Sequence, residues 1–364
     1  MIPIYEPLLD EEEAKAVYEV VKSGWVSSKG KEIEMFEKNL ASYVGKKYGV
    51  STSNGTTALH LALAALGIGP GDEVIVPDFT FVSPVNAAIY QGALPVLVDA
   101  ENSTWGMNPD LIENKISSRT KAIIVVHIYG NPAMIKEISE IAEKHGIPLI
   151  EDCAESLGAV YDKRKVGTWG KISCFSFYGN KVITTGEGGM CLTDDEELYE
   201  KMKILRDHGM RPDKRYWHQV VGYNYRMTNI QASLGLVQLR KMNNILSIKK
   251  RIAQEYQGLL EDKLTVQADP PNGRSVFWLF SVLAHNQAER DSIVSHLEKT
   301  QIETRPFFFP VHTMPPYLQF CKDGSEFPIS NDISKVGLNL PSSPKLSSIE
   351  IKTICERLVE VLVK

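Results

Sequence analysis

The chain has 364 residues, of which 43% are hydrophobic and 23% charged, and a formal net charge of −5. That length is too great for one small core and suits two domains, or one large domain with an appendage, in a soluble globular protein. The acidic balance leaves no basic footprint for nucleic acid, the apolar runs fall short of a membrane span, and MIPIYEPLLDEEEAK has no basic region leading into the apolar core of a secretory signal.

Residues 1–30 start extended, pass through an acidic amphipathic helix at Asp10–Lys22 and end in SGWVSSKG, the loop that holds Trp25. A second helix, Glu32–Val44, leads into a short strand, Tyr48–Val50. STSNGTTALHLALAALGIGPGDEVIVP then reads as strand, glycine turn, helix Thr56–Leu66, Gly/Pro turn and strand Glu73–Val76. Asn54, Gly55, Thr56 and Thr57 place small, hydroxyl-bearing residues at a helix N-terminus. Unpaired amides and the helix dipole there favour an anion such as phosphate. An ordinary N-cap uses the same residue types, so both readings stand at this point.

The pattern repeats. PDFTFVSPVNAAIYQGALPVLVD gives a helix and a strand, Lys121–Gly130 another strand, Pro132–His145 a helix, and Pro148–Ile150 a strand ending in Glu151–Asp152. Alternating strands and helices with near-continuous Val/Ile runs predict an α/β architecture, a mostly parallel sheet covered on both faces. Ligands of such sheets bind at the carboxyl ends of the strands. Asp152 falls at such an end, as do the loops holding Gly55 and Lys181. A helix N-cap is the alternative for Asp152.

The stretch from Cys174 to Met190, CFSFYGNKVITTGEGGM, carries Ser176 in an apolar run, presents Lys181 after Gly179–Asn180, and closes on a glycine-rich turn. Apolar residues on both sides of Lys181 predict a partly desolvated ammonium. Burial lowers a lysine's pKa, and only the free amine attacks a carbonyl. The glycines permit turns and close backbone approach. A surface hairpin is the alternative, and the run is too apolar for one.

Cys191–Thr193 reads as a strand and Asp195–Asp207 as a helix. RYWHQVVGYNYRMTNIQASLGLVQL begins aromatic and irregular, then becomes a helix from Asn229. Aromatic, Asn and Arg residues outside regular elements mark a site or a subunit contact. A long helix follows Arg240. Beyond it come a strand at Trp278–Ala284, a helix at Gln287–Lys299, the Pro-rich IETRPFFFPVHTMPPY and a last helix, Ser347–Val363. We place a division between a large unit, 1–245, and a smaller C-terminal α+β unit, 246–364. Cys153, Cys174, Cys191, Cys321 and Cys355 form no CxxC pair, which suits reduced thiols in a cytoplasmic protein.

An anion-binding helix N-terminus, a carboxylate at a strand end, a serine and a lysine on one parallel sheet match the needs of pyridoxal 5′-phosphate. That cofactor has a phosphate to cradle, a ring nitrogen to keep protonated and an aldehyde for an amine. No metal is called for. SNGTTALHLAL, EDCAES, FSFYGNKVITTGEGGM and GYNYRMTN resemble, in order and spacing, the DegT/DnrJ/EryC1/StrS sugar aminotransferases across essentially the whole chain. The resemblance implies a fold-type I pyridoxal-phosphate enzyme. It implies that Lys181 joins the cofactor, Asp152 pairs with the ring nitrogen, Phe81 stacks on the ring, and Gly55, Thr56 and Ser176 hold the phosphate. Glu155 takes a position near the cofactor hydroxyl where many relatives have Gln or His. Asn224 would reach the phosphate from a neighbouring subunit, giving a homodimer with shared active sites. Arg226 would meet the amino donor's carboxylate, and Trp25 and His312 would line the sugar-nucleotide cleft. The implied reaction is ping-pong, from L-glutamate to a nucleotide-linked 4-keto sugar. WVSSKG, RYWHQVVGYNYRMTN and ETRPFFFPVHTMPPY resemble most the members acting at C4 of a GDP-linked 4-keto-6-deoxymannose, with a UDP- or dTDP-linked sugar as the alternative. A dehydratase of the same fold would carry histidine in place of Lys181, and a regulator that had lost the chemistry would not need the four motifs intact.

Overall fold

The computed structural model describes residues 1–321 and 324–362. Its frame is a seven-stranded sheet of β1 (Tyr48–Thr52), β2 (Glu73–Pro77), β3 (Leu94–Val98), β4 (Thr120–Val126), β5 (Leu149–Asp152), β6 (Ile172–Ser176) and β7 (Gly189–Thr193). The spatial order is β1-β7-β6-β5-β4-β2-β3. β7 alone runs antiparallel to its neighbours, pairing Cys174 with Cys191 on β6 and Val50 with Cys191 on β1. The other adjacent pairs are parallel. The Val/Ile runs have the predicted consequence. Val74, Val76, Ala122, Ile124 and Ile150 enter one core, whereas Ile75, Ile123, Val125 and Leu149 enter the core on the opposite face.

Helices α1 (Glu11–Ser23), α2 (Lys31–Val44), α3 (Gly55–Leu66), α4 (Ser83–Tyr90), α5 (Pro109–Ile112), α6 (Ile135–Lys144), α7 (Glu196–Arg206) and α8 (Asn229–Arg240) accompany this sheet. α1 begins at a capping box built on Asp10 and Glu13 and stops at Gly24, whose φ of 77° takes the left-handed conformation that ends a helix cleanly.

α9 (Met242–Leu260) is continuous through the division expected at 245/246. Its first turns, Met242 and Ile245, pack with the large sheet. Ile252, Ala253, Tyr256 and Leu260 pack into a separate core with α10 (Gln287–Lys299) and α12 (Ser348–Leu362). Helix α11 (Pro328–Val336) lies between them in the chain, and this core covers a four-stranded antiparallel sheet of β8 (Thr265–Val266), β9 (Phe280–Leu283), β10 (Arg305–Pro306) and β11 (Gly337–Leu340), in the order β8-β9-β11-β10. Phe307, Val311, Tyr317 and Phe327 return to the cores of the large sheet. The division at 245/246 is therefore proposed as a change of core within a helix, without a linker. The expected helix end at Val363 lies outside the described residues.

Two elements differ from expectation near the sheet's carboxyl edge. The strand expected to reach Gly130 ends at Val126, because the chain turns through Ile128–Gly130 with Tyr129 at φ 55° and Gly130 at φ 97°. The helix expected from Pro132 starts at Ile135, since the Ala133 amide is taken by His127 Nδ1 at 3.0 Å. The first departure shapes the site.

Candidate active site

The carboxyl ends of β4, β5 and β6, with the N-terminus of α3, enclose a cavity of about 500 Å³. Gly55, Thr56, Phe81, Asp152, Glu155, Ser176 and Lys181 all line it. These seven, far apart in sequence, are brought to one cavity by the fold.

At one part of the wall α3 begins. Asn54 is its N-cap, its side chain accepting from the Thr57 amide at 2.9 Å while Thr57 Oγ1 accepts from the Asn54 amide at 3.2 Å. The ordinary N-cap reading is thus true of Asn54 and Thr57. Among the described residues, the amides of Gly55 and Thr56 meet no acceptor, and helix N-termini of this kind hold anions. A Cβ on Gly55 would lie 2.8 Å from Ser176 Cβ, so glycine alone lets the helix start approach the serine. Gly189 is constrained likewise: a Cβ there would lie 2.3 Å from the Asn54 carbonyl.

Asp152 closes β5, in register with Val126 and Cys174. Its Oδ1 accepts from the Ala154 amide at 3.0 Å, and Oδ2 meets no donor among the described residues. Burial raises its pKa, against lowering by the Ala154 amide, Lys181 and His127. The neighbouring Glu151 points away and is fully engaged by the amides of Gly167, Trp169 and Gly170 at 2.6–2.8 Å and by His127 Nε2 at 3.2 Å.

Lys181 sits on a closed loop. Phe177 donates to the Gly188 carbonyl, Thr185 to that of Phe177 and Lys181 to that of Tyr178, each at 2.8–2.9 Å. Buried Phe177, Val182 and Ile183 anchor the loop, and the Tyr5 hydroxyl donates to the Lys181 carbonyl at 2.8 Å. The lysine side chain is 13% exposed, with Nζ 3.6 Å from Glu155 Oε1. Burial lowers its pKa, opposed by Glu155 and Asp152, while Arg305 lowers it further. Glu155 is pushed up to about 7 by burial. Its Oε2 accepts from the Tyr129 amide at 2.7 Å, which is the purpose served by the early end of β4.

Four expected residues lie elsewhere in this chain. Asn224 accepts from Arg226 Nε at 3.1 Å, and Arg226 pairs with Asp207 at 2.9 Å; neither lines the cavity. Trp25 is 63% exposed on a groove between α1 and α8. His312 is buried, donating its amide and presenting Nδ1 to Asp78 at 2.9 and 2.7 Å. Conversely, Trp278, Arg305 and Phe308 line the cavity unforeseen. Phe308 faces Phe81 with ring centroids 5.8 Å apart.

The residues present fit pyridoxal 5′-phosphate. Two free amides and a hydroxyl suit its phosphate, an open carboxylate oxygen its ring nitrogen, and a buried amine of lowered pKa its aldehyde.

Comparison with known proteins agrees. The DegT/DnrJ/EryC1/StrS aminotransferase family matches residues 7–359. A GDP-perosamine synthase of Escherichia coli O157:H7 is 45% identical, over 99% of this chain and 98% of its own. One of Vibrio cholerae is 43% identical, over 98% and 97%. A Streptococcus pneumoniae structure in its PLP form superposes with a TM-score of 0.95 at 29% identity, covering 100% of this chain and 98% of that one.

Proposed function

The chain belongs to the DegT/DnrJ/EryC1/StrS aminotransferase family, and from that premise we propose that it transfers an amino group from L-glutamate to C4 of GDP-4-keto-6-deoxy-D-mannose, giving GDP-perosamine, in two half-reactions. One observation carries the reading. The buried amine of Lys181, the carboxylate of Asp152 and the open amides of Gly55 and Thr56 share a single cavity, in a chain similar along nearly its whole length to two GDP-perosamine synthases.

Bound pyridoxal phosphate supplies an aldehyde for a primary amine and a protonated ring that draws electrons from a carbon losing its proton. The Gly55 and Thr56 amides and the Ser176 hydroxyl would hold its phosphate. Asp152 would keep a proton on the ring nitrogen by charge, and Glu155 would stand by the ring hydroxyl. Phe81, with Phe308 behind it, would cover the ring.

Lys181 then does two tasks. As a free amine, which burial favours, it would join the aldehyde; once released, its Nζ would take the proton from the substrate carbon and return it. Among the described residues lining the cavity it is the only primary amine. Arg305 offers the cavity a guanidinium that, among the described residues, pairs only distantly with Glu303, at 4.0 Å. It suits an anionic part of either substrate.

Asn224 and Arg226 complete the site in this reading from a second copy, which accounts for their absence from their own chain's cavity and makes the working form a homodimer. The product suits incorporation into an O-antigen polysaccharide of lipopolysaccharide, made in the cytoplasm from nucleotide sugars. Among the described residues, no helix is long and apolar enough to cross a membrane.

The test is spectroscopic. L-Glutamate should abolish the visible band of the lysine-bound cofactor, and GDP-4-keto-6-deoxymannose should restore it with formation of GDP-perosamine. Restoration by a UDP- or dTDP-linked sugar instead would move the substrate. A protein that takes up no cofactor would overturn the assignment.

A further inference from the structure

Trp278 is 4% exposed and stands two residues before β9. Its indole Nε1 donates to the carbonyl of Asn180, the residue before the lysine, at 2.5 Å. Its ring lies against the lysine itself, with Lys181 Nζ 3.8 Å from the ring centroid. The backbone at Trp278 is pinned: its carbonyl accepts from Lys249 Nζ at 2.9 Å, and this buried lysine of α9 also donates to the Ser342 carbonyl at 2.5 Å. Tyr129, whose amide holds Glu155, stacks on the indole with centroids 6.4 Å apart.

We propose that Trp278 is a positioning residue for the transfer, its indole face serving as the berth on which unbonded Lys181 rests as an ammonium and its N–H holding the lysine loop in register. The face of an indole attracts a cation, the more so when water is excluded. With Glu155 Oε1 3.6 Å away, the berth offsets part of the desolvation that burial imposes on the charged lysine. An ammonium that has just received the substrate's proton is then kept beside the cavity until it gives the proton back. The Asn180 tether does separate work, fixing the backbone from which the side chain swings.

This inference rests on Lys181 being the reactive amine, and the test separates the two claims. In the full-length chain stripped of cofactor, the rate of acetylation of Lys181 by acetic anhydride is followed against pH by peptide mass spectrometry. In the unaltered protein the midpoint should lie below that of surface lysines. If Lys181 titrates as they do, the role given to the lysine fails as well. Trp278→Leu keeps the site apolar but removes the ring. Its midpoint should fall by about a further one and a half pH units, what a desolvated cation–π contact is worth. Trp278→Phe keeps a smaller ring face and loses the N–H, so the Lys181 midpoint should fall less than in the Leu variant. In that variant kcat should fall about tenfold with KM for the sugar nucleotide unchanged, the size of one lost hydrogen bond. An unmoved midpoint in the Leu variant, or unaltered turnover in the Phe variant, overturns the proposal while leaving Lys181 its role.

Discussion

Lys181 Nζ lies 3.6 Å from Glu155 Oε1, and burial drives the two groups toward their neutral forms, the carboxyl up to about 7 and the ammonium down. Each charge in part sustains the other. Below about 7 Glu155 takes up a proton, and the attraction that favours the Lys181 ammonium is lost. In the cofactor-free chain the pH dependence of Lys181 acetylation should therefore carry an inflection near 7 that Glu155→Gln removes. Stability must move the other way. A folded-state pKa above the ordinary 4.5 gives a contribution fully present below 4.5 and lost as pH rises through about 7. Across that window the melting temperature of the unaltered chain should fall relative to Glu155→Gln, which has no proton to lose. Parallel melting curves would refute the assignment.

Among the described residues no donor meets the Asp152 oxygen facing the cavity, so its charge is free for a cationic partner. Asp152→Asn keeps the size and the acceptor for Ala154 but removes the charge. A hydrogen bond to a charged group is worth about 1.5–3 kcal/mol, so kcat should drop about 10- to 150-fold. Stability of the cofactor-free chain should hold or improve, because a buried carboxylate is relieved. Steady-state kinetics alongside thermal melting would distinguish this from a general loss of structure.

Gly55→Ala tests the approach of α3 to β6. The new Cβ would stand 2.8 Å from Ser176 Cβ and 3.2 Å from its Oγ, so the serine hydroxyl or the helix start must shift. Overpacking of this kind costs about 1–3 kcal/mol. If the amides and the hydroxyl act together on phosphate, cofactor affinity should fall at least about tenfold, readable by fluorescence titration. Unaltered affinity with lowered stability would leave Gly55 a packing residue alone.

What could be read in advance follows physical lines. The parallel frame was legible because Val/Ile runs such as KAIIVV must be buried on both faces, and Gly55, Asp152 and Lys181 follow strands whose ends share one edge. The cavity's far wall was not. Trp278 leads into another sheet and Arg305 lies on it, and no local pattern says which edge they face. His312 shows why. The resemblance places it at a cleft, while its partner Asp78 lies 234 residues away, a pairing that only the fold reveals. The early end of β4 was hidden similarly, since Tyr129 takes φ 55° to bring its amide to Glu155, a tertiary demand overriding strand propensity.

Asn224 and Arg226 stand outside their own cavity, beside Asp207, and the shared-site reading makes a sharp demand of mixtures. Lys181→Ala alone should lack turnover while keeping its fold, and Asn224→Ala alone should bind cofactor weakly. A neighbour-completed site would place both defects of a mixed dimer in one site and leave the other whole. Random reassortment of equal amounts, after mild denaturation and refolding, gives mixed dimers as about half of the total, each with one intact site. Activity should then recover to about a quarter of the unaltered enzyme's, from parents that have almost none. If Asn224 instead served its own chain's site, every site in the mixture would carry one defect and no activity would return. Recovery would thus settle both the dimer and the ownership of Asn224, and its failure would return that residue to the surface loop where its own chain leaves it.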